Sequence, residues 1–368
     1  ASAENSSDIG QLPSAQGSSG REHTDLPQPS QERLPAKSAP RHEIASPART
    51  YYWRAQLPGA ARAVVPDPAM ADQDAATPAD LTRIEKVAIR LAALTNEHPI
   101  GKVLQDHFLR GVTYPWVRLG MAHRCLFEGL DEVVALKPDR GLLIASNHRS
   151  FFDQYSLLLG LYLARTPWIR SINFPVRSNF FYEQPLGMLV NWGVAAGAMY
   201  PPVFRQRERT AANKATVDKL VEMLANPGAV IGVHPEGTRN KGSDPYEMLP
   251  AMPGIGQIAL QAKPIVIPVW IGGLENDFVS EFRTNYLRGI RRTRPVIAVW
   301  GKPVDYSQFL AQKPRPALYK KCADLFRDEI LALSAREKVL RAQCAAGEIA
   351  DDDPRWIVNR DHDRLYAK

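Results

Sequence analysis

The sequence predicts an α/β protein: a mainly parallel central sheet flanked by helices, preceded by an N-terminal helical segment and a disordered tail. Two observations give the sheet. Short apolar runs (LLIAS, AVIGV, PIVIPVWIG) alternate with stretches of helical periodicity. Strands that are apolar on both faces belong to a parallel sheet covered on both sides. A third observation gives the tail. The first 80 or so residues hold ten of the 30 prolines, are rich in Ser, Ala, Gln and charged residues, and show almost no periodicity. Such a segment buries too little apolar surface to offset its ordering entropy.

The elements follow in order. DLTRIEKVAIRLAAL sets Leu81, Ile84, Val87, Ala88, Leu91 and Leu94 at helical intervals, with Asp80 as the cap. HFLRGVTYPWVRLGMAHRCLF reads as a second helix, kinked near Pro115. Both place Arg or Lys beside large apolar residues, the pattern of an amphipathic helix on a core or on a lipid surface, a core being the commoner case. A strand at 141–146 leads to a helix over 151–163, and a strand at 169–175 to the apolar helix LGMLVNWGVAAGAM. RTAANKATVDKLVEMLANPG is an amphipathic helix stopped by Pro-Gly, followed by a strand at 229–233, the helix GIGQIALQA, and the strand PIVIPVWIG. RPVIAVWGKPV supplies one more strand, a helix covers 316–333, another follows Ser334, and the last 20 residues read as polar and loosely held. The resulting layout is a tail at 1–79, a helical segment at 80–135, an α/β domain at 136–310 and C-terminal helices at 311–368.

The 368 residues are 45% hydrophobic and 23% charged, an ordinary globular composition, with a net charge of +7 and a pI of 9.3. That charge favours anionic partners: nucleic acid, acidic lipid or phosphorylated small molecules. Arginines cluster at RQRER (205–209) and at Arg283, Arg288, Arg291, Arg292 and Arg294, and each cluster taken alone is equally a solvated face. No nucleic-acid motif accompanies them, so no nucleic-acid partner is expected. Cys125, Cys322 and Cys344 form neither a disulfide framework nor a metal pattern, so no metal site is expected and a reducing compartment fits. No run of 18 apolar residues and no apolar secretory core is present, so the chain is expected to be cytoplasmic and not to span a membrane, with a peripheral place on a membrane surface left open.

Chemistry concentrates at two strand ends. In LLIASNHRSFFD, His148 and Asp153 lie five positions apart between two apolar runs. On one helix they would point roughly 140° apart. They meet only if His148 sits in the turn after the strand and Asp153 in the first helical turn, with Ser150 as the N-cap. Ligand sites form at the carboxyl ends of strands in open α/β sheets, and an aspartate on one imidazole nitrogen leaves the other as a general base. A His-Asp pair is more often structural than catalytic. In VIGVHPEGTRN, Gly237 lets backbone approach a ligand and Arg239 offers a fork suited to phosphate, although a plain strand-to-loop turn explains the stretch as well.

Taken together, the motifs identify a resemblance. NHRSFFD is similar to the NHx4D block of the glycerolipid acyltransferases, the family of 1-acylglycerol-3-phosphate and glycerol-3-phosphate acyltransferases, and HPEGTRN resembles their PEGTR block roughly 80 residues later. PGIGQIALQAKPIVIPV, ending in Ile267-Pro268-Val269, and VIAVWGKPV resemble downstream segments, so the likeness spans about 118–310. The resemblance implies that His148 is the general base and Asp153 orients it. It also implies that Glu236, Gly237, Thr238 and Arg239 form the acceptor site, and that the hydroxyl attacks the acyl thioester with no acyl-enzyme. It implies no cofactor, only acyl-CoA or acyl carrier protein as donor substrate and a lysophospholipid or glycerol phosphate as acceptor, on an anionic membrane surface. The chain fits the direct route, having no GxSxG elbow or catalytic-cysteine context. It departs from the family in GAMYPPVFRQRER, where Arg205, then Arg207, best matches a further acceptor-binding arginine. It also departs at His234, where the family carries an aromatic residue, and at Asn240, where it carries serine. A rival of another class is a catalytically inactive lipid-binding protein on the same fold.

Overall fold

In the computed structural model, residues 81–162, 166–204 and 209–360 are described. The expected tail (1–79), the cap at Asp80, and Arg205 and Arg207 lie outside them. Among the described residues there are eight strands: β1 (Cys125–Glu128), β2 (Leu142–Ser146), β3 (Ser171–Asn173), β4 (Val176–Arg177), β5 (Pro202–Val203), β6 (Ala229–Val233), β7 (Ile265–Gly272) and β8 (Val296–Trp300). Six form one sheet in the order β1-β8-β7-β2-β6-β3, and β4 and β5 pair beside it.

The sheet is mainly parallel, as the apolar runs predict. β2 pairs in parallel with β6 and with β7, and β3 with β6. β2 is buried at all five positions. Leu142 and Ile144 enter one core with Leu157, Val230 and Ile267, while Leu143 and Ala145 enter the other with Leu220, Ala259 and Phe326. That alternation is the pleat of a strand covered on both faces.

β8 reverses direction. It runs antiparallel to β7, with Val269 opposite Trp300, and β1 follows β8 in parallel. Because β7 ends and β8 begins at the same end of the sheet, the connecting residues 273–295 never cross to the far side. They stay at the carboxyl end of β7, where the helices Phe278–Thr284 and Ile290–Thr293 lie.

Several elements differ from expectation for identifiable reasons. The first helix is Arg83–Glu97, capped by Thr82 rather than Asp80: Glu85 N–H donates to Thr82 Oγ1 (3.2 Å) and Thr82 N–H to the Glu85 carboxylate (2.8 Å). The second divides into Pro99–Phe108, a wide π turn Leu109–Thr113, and Tyr114–Met121. Pro115 follows the wide turn directly, and the turn's i→i−5 bonding (Tyr114 N–H to Leu109 O) lets the helical run pass the N–H that proline lacks. The final CLF of that stretch is strand β1, recruited by pairing with β8. Ser150 does not cap a helix in the expected place. Its hydroxyl accepts the Phe152 N–H (3.0 Å) and the helix begins at Asp153, giving way to a π turn at Leu158–Tyr162. Pro316–Ala346 is one continuous helix, unbroken at Ser334, ending at Gly347 in the left-handed conformation. The segment after it is held: Trp356 and Ile357 are buried, and Phe127 N–H donates to Arg355 O (2.8 Å).

The N-terminal helix also turns its small residues inward. Ala88 and Ala92 are buried, whereas Ile84, Val87, Leu91 and Leu94 are exposed. Pro185–Ala195 likewise exposes Leu186 (70%) and Leu189 (67%), and the 278–287 segment exposes Phe278, Val279, Phe282, Tyr286 and Leu287. Among the described residues no helix is long and apolar enough to cross a membrane.

Candidate active site

β2 ends at Ser146, and the next side chain prolongs its pairing. Asn147 accepts the Ile271 N–H (2.7 Å) and donates to Ile271 O (2.8 Å), using its amide in place of a peptide. The main chain is thereby free to turn away, and His148 projects at the carboxyl end of the sheet. Five residues later the helix begins, and its first residue, Asp153, faces back. One carboxylate oxygen, Oδ2, receives His148 Nδ1 (2.9 Å), Arg149 N–H (2.8 Å) and Ser150 N–H (2.9 Å). The turn between strand and helix brings the pair together.

Burial sets the protonation of the pair. It pushes the Asp153 carboxyl up to about 6, opposed by the backbone N–H donors. Burial and the guanidinium groups of Arg239 and Arg177 bring His148 down to about 3. At neutral pH the site therefore holds a carboxylate beside a neutral imidazole. Donation from Nδ1 to Asp153 leaves Nε2 unprotonated, the state a general base needs.

The second loop is fastened to the first. Glu236, 3% exposed, accepts the His148 N–H (2.8 Å) on one oxygen and the Leu249 N–H (2.8 Å) on the other. Both oxygens are thus committed to backbone, and Glu236 lies beneath the site. Asn240 N–H donates to His148 O (2.8 Å), and Arg149 reaches the carbonyls of Gly242 (2.7 Å) and Asp244 (2.8 Å). Gly237 has a φ of +61°, and an added Cβ there would press on Met252. Thr238 is half-buried next in the turn. Arg239 lies over the Phe151 ring (3.4 Å to its centroid) and donates to Asn276 Oδ1 (2.6 Å).

Three contributors escaped the sequence reading. Arg177, on β4 just past β3, donates to Gly237 O (2.9 Å). Its place after a parallel strand was a usable signal. Asn276 joins Arg239 to the Phe151 N–H (3.1 Å) from the 273–295 connection, and nothing local marks it. Trp116, Phe152, Tyr155 and Phe278 stack edge to face or tilted beside Asp153, with centroids 4.7–6.4 Å apart. Among the described residues no group of three or more His, Cys, Asp or Glu side chains is set to hold a metal ion.

This geometry coincides with a family match: the acyltransferase family model covers residues 127–272. Residues 127–272 form an acyltransferase-family domain. Both loops of the site fall inside that acyltransferase domain, while Trp116, Asn276 and Phe278 lie outside the matched residues. Among solved structures, the chain is similar to the 1-acyl-sn-glycerophosphate (LPA) acyltransferase PlsC from Thermotoga maritima, at 20% identity and a TM-score of 0.38, over 68% of this chain and 98% of that one. No curated protein sequence matches the chain.

Proposed function

We propose that the protein transfers a fatty acyl group from an acyl thioester to the free hydroxyl of 1-acylglycerol-3-phosphate at a membrane surface. One observation carries the reading: a neutral His148, oriented by Asp153, stands within the field of two guanidinium groups, Arg177 and Arg239. The acceptor's phosphate is held by those arginines. His148 Nε2 takes the hydroxyl proton as the oxygen attacks the thioester carbonyl. The tetrahedral intermediate then collapses, the C–S bond breaks, and the departing thiolate receives the proton from the His148 imidazolium. Glu236 and Gly237 shape the acceptor loop, and Thr238 and Arg239 face the acceptor. The aromatic group beside Asp153 suits an acyl chain. The exposed apolar helices, with Arg283 and Arg288 among them, suit an anionic bilayer.

The test is acyl transfer to lysophosphatidate on anionic liposomes, with acyl-CoA and acyl carrier protein as donors and glycerol-3-phosphate as a second acceptor. His148→Ala should lower turnover by about 10² or more, the size of a general-base contribution. Equal turnover in both proteins, or none from the wild type with any donor and acceptor, overturns the proposal.

A further inference from the structure

His234 stands where the family places an aromatic residue, and its surroundings give that departure a purpose. It follows β6 directly, and its ring lies on the ring of His148 with centroids 3.9 Å apart and planes 6° from parallel. Its Nδ1 is 3.1 Å from Ser146 O, 3.1 Å from Asn147 O and 3.0 Å from Ser146 Oγ. Two carbonyl oxygens at one nitrogen require a donor there, which assigns the proton to Nδ1. The opposite nitrogen, Nε2, is buried with no partner. A proton on it would be an unsatisfied buried donor, so the ring is neutral, in keeping with the burial that lowers its pKa to about 3.

The stack supplies a constraint the dyad lacks. The bond to Asp153 and the Cβ–Cγ bond hold one side of the His148 imidazole but leave the ring some tilt about that side. A flat surface against the ring face removes that freedom. The same surface is anchored to the two peptides immediately before His148, so backbone and side chain of the base are held by one residue.

We infer that His234 is a positioning residue for the base: its neutral ring, lying flat on the His148 imidazole, fixes the plane of that imidazole and so the direction of Nε2. The inference rests on the general-base reading above. A neutral aromatic face also receives the imidazolium that forms during transfer.

The experiment compares His234→Phe with His234→Leu. Both fill the space, and only phenylalanine keeps the stack. His234→Phe should retain kcat within about threefold, and His234→Leu should lose about tenfold in kcat with KM for donor and acceptor nearly unchanged, the mark of misplaced chemistry rather than weakened binding. Imidazole ¹H–¹⁵N spectra give a second readout that needs no substrate. The His148 Nδ1–H resonance should stay sharp in wild type and His234→Phe and broaden in His234→Leu. If the leucine variant does not fold, His234→Met takes its place as the unstacked filler. Wild-type kcat in the unstacked variant, equal loss in both variants, or an unchanged Nδ1–H signal overturns the inference. If the wild type transfers no acyl group, the general-base reading fails, and the spectra still decide whether the stack orders His148.

Discussion

At Asp153 a single oxygen collects three donors inside a closed interior. Its pKa is raised by burial, so the protonated carboxyl is the form the fold favours: its contribution is full below the ordinary carboxyl value, is lost as pH rises through about 6, and the buried carboxylate costs stability above that. A neutral isostere keeps the two backbone bonds without the buried charge. Asp153→Asn should therefore lower kcat by about 10² or more, by ceasing to stabilise the imidazolium, while Tm at pH 8 holds or rises. Thermal unfolding set beside turnover checks both halves. The two imidazoles have the opposite sign. His148 and His234 are held neutral down to about 3, whereas in the unfolded chain both take protons near 6.5. Stability should fall as pH drops below 6.5. Asp153 offsets one proton below about 6, leaving a net slope of about 1 kcal/mol per pH unit. Denaturant titrations at pH 7, 6 and 5 measure it, and His234→Phe should flatten the slope.

Among the elements, the connection 273–295 does the most for the site while lying outside the family match. It is pinned from below: Arg124, fully buried, forms an ion pair with Glu281 and donates to Gly273 O (3.2 Å) and Arg294 O (2.9 Å), and Glu275 N–H donates to Glu281 (2.8 Å). One of its arginines is structural rather than part of a solvated basic face: Arg291 is buried and donates to His123 O (2.9 Å), whereas Arg294 makes an exposed pair with Glu275. From this base Asn276 reaches Arg239. Asn276→Ala should raise KM for the acceptor by about tenfold with kcat largely kept, since it loosens the arginine proposed to hold the phosphate without touching the base; steady-state kinetics with varied acceptor decides. This element also shows where reading the chain stops. His148 and Asp153 are separated by one turn and were legible locally, as were strands made of unbroken apolar runs. The 37 residues between Asn276 and Arg239 and the 60 between Arg177 and Gly237 are closed by the sheet, which no local pattern encodes. β1 was hidden for the same reason: Cys125–Glu128 continues a helical pattern, and only β8 makes it a strand.

Over the whole molecule, large apolar side chains face outward on several helices while alanines pack inward. The amphipathic pattern was readable in Arg83–Glu97, but not which side the core would take, because the choice depends on what the helix docks against. An exposed leucine contributes about 1.5–3 kcal/mol when it leaves water. Replacing Leu186 and Leu189 together by serine should leave Tm unchanged and cut partition onto anionic vesicles at least tenfold by this reckoning, as vesicle sedimentation would show.

The reversal of β8 bears on how the chain can be divided. A fragment ending at Gly272, with the family match, would lose the neighbour of β7 and bare a long strand edge. It would also strip Phe326 and Ile330 from the core that buries Val266 and Trp270. Exposed strand edges invite pairing between copies. The catalytic loops alone are therefore not a unit of folding. The shortest piece expected to stand by itself runs on through the long helix to Trp356, whose ring lies in one core with Leu126 and Ile297.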